Sequence, residues 1–345
     1  MKVGVLQFFS WPERRIPLEE VYERAFDRIR IMDQTGYDAV WLAEHHFSSF
    51  SICPSIHMMG THIARITDNL RIGTAVSLAP FYHPLRLAEE VALLDVLSDG
   101  RVNWGAGRGY QKVEFEAFGV AADESYPRFR ENVQIVLAAW TNDRIDFDGE
   151  FWQFHDIEVL PKPRQRPHPP VWLAASSAEA ITWAGAQGFS IMLDPHSSHV
   201  KIGEKRSFYA AELAKAGYSP EGREVPMARL LAVAPTREKA EEIARAGATW
   251  TVMSHRKPQL SSVEVKSELN EKHFAQPKIA FGDTSGGDPI ERYLDDVIIY
   301  GTPDEVGDEI ERLREEIGLE YLLCAPLSHS SFLLFTEQVL PRILG

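Results

Sequence analysis

The chain has 345 residues, 44% of them hydrophobic and 25% charged, an ordinary globular composition sized for two domains or one large α/β barrel. Its net charge of −14 argues against a nucleic-acid partner held through phosphates, and no apolar run approaches the length of a membrane span. Two cysteines far apart in sequence, Cys53 and Cys324, argue against a disulfide framework; with a strand at the start instead of a signal peptide, the expected location is the cytoplasm.

Apolar runs of strand length alternate with stretches of helical period from the first residue onward. Residues 2–8 read as a strand and 18–34 as a helix, with Val21, Ala25, Ile29 and Met32 near one face. Strand 38–43 precedes helix 55–65. Strand 70–78 precedes helix 84–97, which opens on a proline where the missing N–H does no harm. Strand 101–107 and helix 127–140 follow. The rhythm then breaks, because 144–160 reads as a hairpin insertion turning at Asp148-Gly149, and 161–170 as a proline-rich connector. Strand 171–174 with helix 178–187, strand 189–193 with helix 201–216, and strand 226–234 with helix 237–249 restore it. From 251 to 300 the pattern is poor; helix 302–316, strand 321–325 and helix 330–343 end the chain. Eight strands with intervening helices and no break in composition predict an α/β fold, a single (β/α)8 TIM-type barrel with insertions, as one domain over 1–345. Two packed doubly wound sheets are the alternative.

In such folds reactive groups gather where strands end. The second strand ends in Glu44-His45-His46-Phe47, and neighbouring side chains there point to opposite faces, so the two histidines do not share one pocket. An inward His45 is a candidate general acid–base, since imidazole changes charge near neutrality; a strand cap bonded to loop backbone is the other reading. Gly105-Ala106-Gly107-Arg108-Gly109 closes the fourth strand. Glycines there let a flat ring or a phosphate approach the backbone, and Arg108 has the fork for a bidentate phosphate contact, although a turn needing positive φ also explains the glycines. Ser176 or Ser177 opens the helix after the fifth strand, as a cap or as the rim of an anion site. His196 and His199 lack the companions of a zinc site, the cysteines lack a redox motif, and Met58-Met59 reads as packing.

In order and spacing, Gly36-Tyr37-Asp38 through Glu44-His45-His46-Phe47, Ile72-Gly73-Thr74-Ala75, His83-Pro84, Leu94-Asp95 through Gly109-Tyr110, and 170–183 resemble the bacterial luciferase-like flavin monooxygenases, the luciferase α subunit above all. The resemblance covers nearly the whole chain. It implies a two-component monooxygenase that uses reduced FMN and O2 to oxygenate a small organic substrate through a flavin C4a-hydroperoxide. It also implies a separate NAD(P)H-dependent flavin reductase and a homodimer paired through early helices. By position, His45 matches the catalytic histidine, and Ala75 and Val76 match a bulge beneath the isoalloxazine ring, with a cis peptide between them. Gly107 falls where the relative has a reactive cysteine, so chemistry owed to that thiol is absent. Arg108 and Ser177 match phosphate ligands, Ser176 replaces a glutamate whose backbone N–H contributes, Ala180 replaces a threonine, and Arg128 matches a further phosphate ligand across a small length difference. Within 251–300 the resemblance implies a mobile lid. A deazaflavin-dependent oxidoreductase, a non-catalytic flavin-binding protein and, further off, a metal-dependent hydrolase are the competing classes. Phe8, Phe47, Phe81 and Tyr110 suggest an apolar, aromatic cavity.

Overall fold

A run such as Ala39–Leu42, buried at all four positions, belongs in the middle of a sheet covered on both faces. The computed structural model describes residues 1–255 and 288–345, and in it such runs form one mostly parallel, curled sheet. Its strands are β1 (Lys2–Gln7), β2 (Ala39–Leu42), β3 (Arg71–Thr74), β4 (Ser77–Leu78), β5 (Val102–Gly107), β8 (Val171–Ala174), β9 (Ser190–Met192), β10 (Pro226–Val233), β11 (Ile299–Gly301) and β12 (Tyr321–Pro326). The order is β11-β10-β12-β1-β2-β3-β5-β8-β9, with β4 beside β5. Leu193, one residue past β9, bridges to Met227 in β10, and its N–H donates to the Pro226 carbonyl at 2.8 Å. The path thus closes on itself as a barrel, the architecture expected. The insertion is an antiparallel hairpin of β6 (Ile145–Asp148) and β7 (Gln153–Ile157), also as expected.

Four local expectations are corrected. The strand expected at 70–78 is two strands, interrupted at Ala75 and Val76, whose peptide bond is cis as the resemblance implied. The poorly patterned stretch contains β11 and the helix Pro289–Asp296, and the helix before it runs on to His255. A short helix, Lys112–Phe118, follows β5 where no element was expected. The closing helix is broken by a π-turn over Phe335–Val339. The lid expected within 251–300 falls largely on 256–287, outside the described residues.

Alternation along each strand builds two cores. Val3, Val5, Val40, Leu42 and Ile72 face outward against the helices; Leu6, Trp41, Trp172, Leu230 and Leu323 face into the barrel. Trp41 fills the barrel floor. Its ring has room because residue 73 is glycine: a Cβ there would stand 2.3 Å from it. Trp172 meets the Trp41 ring edge-on at 5.4 Å, and the indole N–H donates to the Tyr321 hydroxyl at 3.1 Å. With the floor filled by large side chains, open space is left to the loops at the strands' C-terminal ends.

Candidate active site

β2 runs out at Ala43, and the next three side chains separate as the strand alternation requires. The His45 ring is buried between Phe8 (6.5 Å, near parallel), Phe50 (5.1 Å) and Tyr110 (5.8 Å). Its Nδ1 lies 3.2 Å from Gln111 Nε2 and 3.4 Å from Glu114 Oε1. His46 turns the other way, with Nε2 3.0 Å from Glu44 Oε1 and its ring among Phe47, Phe81 and Phe118. The four aromatics expected around one cavity therefore divide. Phe8 and Tyr110 flank His45, while Phe47 and Phe81 belong to the His46 side.

Glu44 is buried and fully engaged. It accepts from the Tyr82 hydroxyl at 3.0 Å and from the Leu78 N–H at 3.3 Å, tying the end of β2 to the chain just past the cis peptide. Burial, reinforced by Glu44, pushes the Tyr82 hydroxyl far above the usual phenol range, so it remains a donor. Across the barrel wall Thr74 Oγ1 accepts the Gly105 N–H at 2.8 Å and donates to the Gly105 carbonyl at 2.7 Å, which joins β3 to β5 where their ladder stops.

Beyond that join only small or short side chains meet. A Cβ on Gly107 would stand 2.3 Å from Val76 Cγ2 and 3.4 Å from the Ala174 Cβ, so Val76, Gly107 and Ala174 meet side by side. Ala174 is exposed although it ends a buried strand. Next to it Ser177 caps the helix Ala178–Ala186, accepting from the Ala180 N–H at 3.2 Å; Ser176 precedes it, exposed. The Ser177 hydroxyl also shares a hydrogen bond of 3.2 Å with Tyr126, and the Arg108 guanidinium lies 4.3 Å over the Tyr126 ring, with Nη1 donating to Ser125 Oγ at 3.2 Å. Arg108 and the helix N-terminus are thus brought together through Tyr126, a residue the sequence reading had passed over.

Arg128 does not join them. It pairs with Glu124 at 3.0 Å and lies 4.5 Å over Phe151 of the inserted hairpin. Arg130 stands there instead: it is one turn from Tyr126 on the same helix face, 5.8 Å over its ring, and pairs with Glu179 at 2.9 Å. Its buried Nε has no hydrogen-bond partner among the described residues, and with Tyr126, Ala174, Ala175 and Ala180 it lines a small cavity. Two residues along a helix is a rotation of about 200°, which is why Arg128 and Arg130 face different neighbours. The Tyr126–Arg130 spacing was the signal in the sequence that pointed to the second arginine.

Among the described residues no three His, Cys, Asp or Glu side chains are grouped to hold a metal ion, and no helix is long and apolar enough to cross a membrane.

Residues 1–321 match the luciferase-like monooxygenases, and the chain belongs to that family. The oxygenase component of a flavin-dependent trigonelline monooxygenase from Acinetobacter baylyi is 34% identical over 179 residues, 51% of this chain and 49% of that one. The chain spans about half the length of the curated relatives it matches, from 46% to 57% for three of them. Among solved structures, the oxygenating constituent of 3,6-diketocamphane monooxygenase from Pseudomonas putida, in complex with FMN, superposes with a TM-score of 0.79 at 18% identity, covering 99% of this chain and 98% of that one. An F420-dependent secondary alcohol dehydrogenase superposes with a TM-score of 0.72 at 20% identity, over 98% of both chains. At those identities the likeness is one of fold.

Proposed function

We propose that this protein is the oxygenase of a two-component flavin-dependent monooxygenase, using reduced FMN and O2 to oxygenate a small organic substrate. One observation carries the reading: a low apolar surface, where the Val76 methyl packs on Gly107 beside Ala174, adjoins a cluster of anion donors at Arg108 and the helix after Ser177, and His45 follows the neighbouring strand. These residues fit a flavin mononucleotide. The Val76 methyl lies against Gly107 where a side chain would otherwise stand, a low apolar surface for a flat ring, and the buried Arg130 Nε, without a hydrogen-bond partner among the described residues, lies near the helix N-terminus and suits a phosphate.

When bound, reduced FMN supplies the electrons that activate O2, one atom of which goes to the substrate. The chain's own part is to bind, orient and exclude water. Arg108, Ser177 and the backbone after Ser176 hold the phosphate, joined by Arg130; Ala75, Val76 and Gly107 support the ring. Phe8, Phe50 and Tyr110 keep the surroundings of His45 dry, and His45 holds and delivers a proton. The aromatic walls favour an apolar substrate.

The same reading assigns a separate NAD(P)H-dependent reductase as partner and the cytoplasm as location, consistent with the free, buried thiols of Cys53 and Cys324. It takes 1–345 as one barrel domain with the hairpin inserted. It also assigns a homodimer, supported by Met58, Leu93, Val96 and Leu97, apolar side chains left exposed on the helices Ile56–Ile66 and Pro84–Leu97. The likeness to an F420-dependent enzyme supports a second reading, hydride transfer with a deazaflavin. The deciding experiment measures oxygen uptake with chemically reduced FMN across aldehydes, ketones and sulfonates. Substrate-dependent uptake with one oxygen atom recovered in product supports the monooxygenase. Turnover with reduced deazaflavin, and none with FMN and O2, overturns it.

A further inference from the structure

Glu114 is a carboxylate with 1% of its side chain exposed, carried by the short helix Lys112–Phe118. Its Oε1 accepts the His46 backbone N–H at 3.0 Å and stands 3.4 Å from His45 Nδ1. No lysine or arginine pairs with it among the described residues. Gln111, at the start of the same helix, brings its amide nitrogen to 3.2 Å from the same ring nitrogen.

These two neighbours make opposite demands on Nδ1. The amide N–H can donate only to a bare Nδ1; the carboxylate can accept only from Nδ1–H. A buried carboxylate left with one neutral donor is the costlier loss, because an under-solvated charge outweighs an unmade amide hydrogen bond. Gln111 also has an alternative, since rotating its amide presents the carbonyl oxygen to Nδ1–H, whereas Glu114 has none. The proton therefore belongs on Nδ1. The ring's other nitrogen is then left without a proton, in a ring enclosed by Phe8, Phe50 and Tyr110.

We propose that Glu114 is the positioning residue of His45: it holds the neutral imidazole as the Nδ1–H tautomer and leaves Nε2 to take up and return the proton of the oxygenation. The use of that proton rests on the monooxygenase reading; the tautomer rests on the geometry alone. No atom other than the proton moves, and the neighbouring Glu114 carboxylate steadies the imidazolium whenever Nε2 is protonated. Fixing a ring's tautomer and orientation through its distal nitrogen is a recurrent use of buried carboxylates.

The test uses the full-length, flavin-free protein labelled with 15N-histidine, at about pH 9, above the ordinary imidazole range. Two-bond proton–nitrogen correlations, with His45 assigned by subtraction in His45→Ala, should show the proton on Nδ1 in wild type and Glu114→Asp, and on Nε2 in Glu114→Gln. Given reduced FMN and a substrate that is turned over, Glu114→Gln should form about 10- to 100-fold less product per flavin oxidised, the scale on which distal partners of functional imidazoles act. Flavin affinity should stay within about twofold, and Glu114→Asp should restore most of the coupling. A wild-type ring carrying its proton on Nε2 overturns the proposal whatever the Glu114 variants do. An unchanged tautomer or full coupling in Glu114→Gln overturns it as well, while leaving the monooxygenase reading in place. The expected tautomers without oxygenation of any substrate would instead sink that reading and leave Glu114's role standing.

Discussion

Gly107 and Val76 compete for one volume: a Cβ on the glycine would stand 2.3 Å from Val76 Cγ2 and 3.3 Å from Val76 Cβ. Valine is stiff at χ1 and cannot swing its methyl aside cheaply. Gly107→Ala should therefore cost roughly 1–3 kcal/mol in stability, as overpacking does, and should also weaken reduced FMN binding. The double variant with Val76→Ala should recover both. A double-mutant cycle of thermal melts and flavin titrations measures the coupling; additive effects would show that the two side chains do not share the space.

Three arginines near the helix Ala178–Ala186 should respond differently. Arg108→Ala should weaken reduced FMN binding by about 1.5–3 kcal/mol, the range for hydrogen bonds to a charged group. Arg130→Ala should act in the same direction. Arg128→Ala should leave affinity nearly unchanged while loosening the hairpin insertion, because its guanidinium lies over Phe151. Fluorescence titration of the three variants decides the order.

Replacing the two adjacent histidines should give different phenotypes. His45→Ala should lose most substrate oxygenation, within the roughly 10²–10⁴-fold typical of general acid–base assistance, and release more hydrogen peroxide, yet keep its flavin affinity. His46→Ala removes one partner of the buried Glu44 carboxylate, so its main effect should be a lower melting temperature. Product yield and peroxide yield per flavin oxidised, read beside Tm, separate the two.

Below the site, His57 bridges Ser77 Oγ (3.0 Å) and Glu90 Oε2 (3.1 Å), bracing the chain just past the cis peptide. The His57 hydrogen bond, aided by Arg86 and opposed by partial burial, pulls the Glu90 carboxyl down from 4.5 to about 2. A depressed folded pKa means stabilisation that is complete above the ordinary carboxylate range and disappears as pH falls through about 2. The Tm gap between wild type and Glu90→Gln should accordingly be widest above about pH 5 and narrow on acidification. A gap independent of pH would remove Glu90 from this role.

Much of the barrel was legible because burial on both faces leaves continuous apolar runs, as in Ala39–Leu42 and Pro226–Val233. The strand Ile299–Gly301 was missed because three residues carry too little period, and the break after Thr74 because Ala75 and Val76 are as apolar as the strands they separate. His45, Arg108 and Ser177 were visible as reactive residues at strand ends. Glu114 and Tyr126 were not, since their importance comes from partners 68 and 51 residues away, a proximity no spacing rule encodes. Arg128 rests on a family position carried across a small length difference, and two residues further along the helix Arg130 faces different neighbours.

The Trp41 indole, wedged over Gly73 and braced by Trp172 and Tyr321, gives the barrel a closed end. On the monooxygenase reading proposed above, flavin, oxygen and substrate arrive, and spent flavin and product depart, at the strands' C-terminal ends. An occupant that lingers there blocks every other, so the order of arrival and the slowest departure, more than the affinity of any single ligand, set how often the cycle repeats.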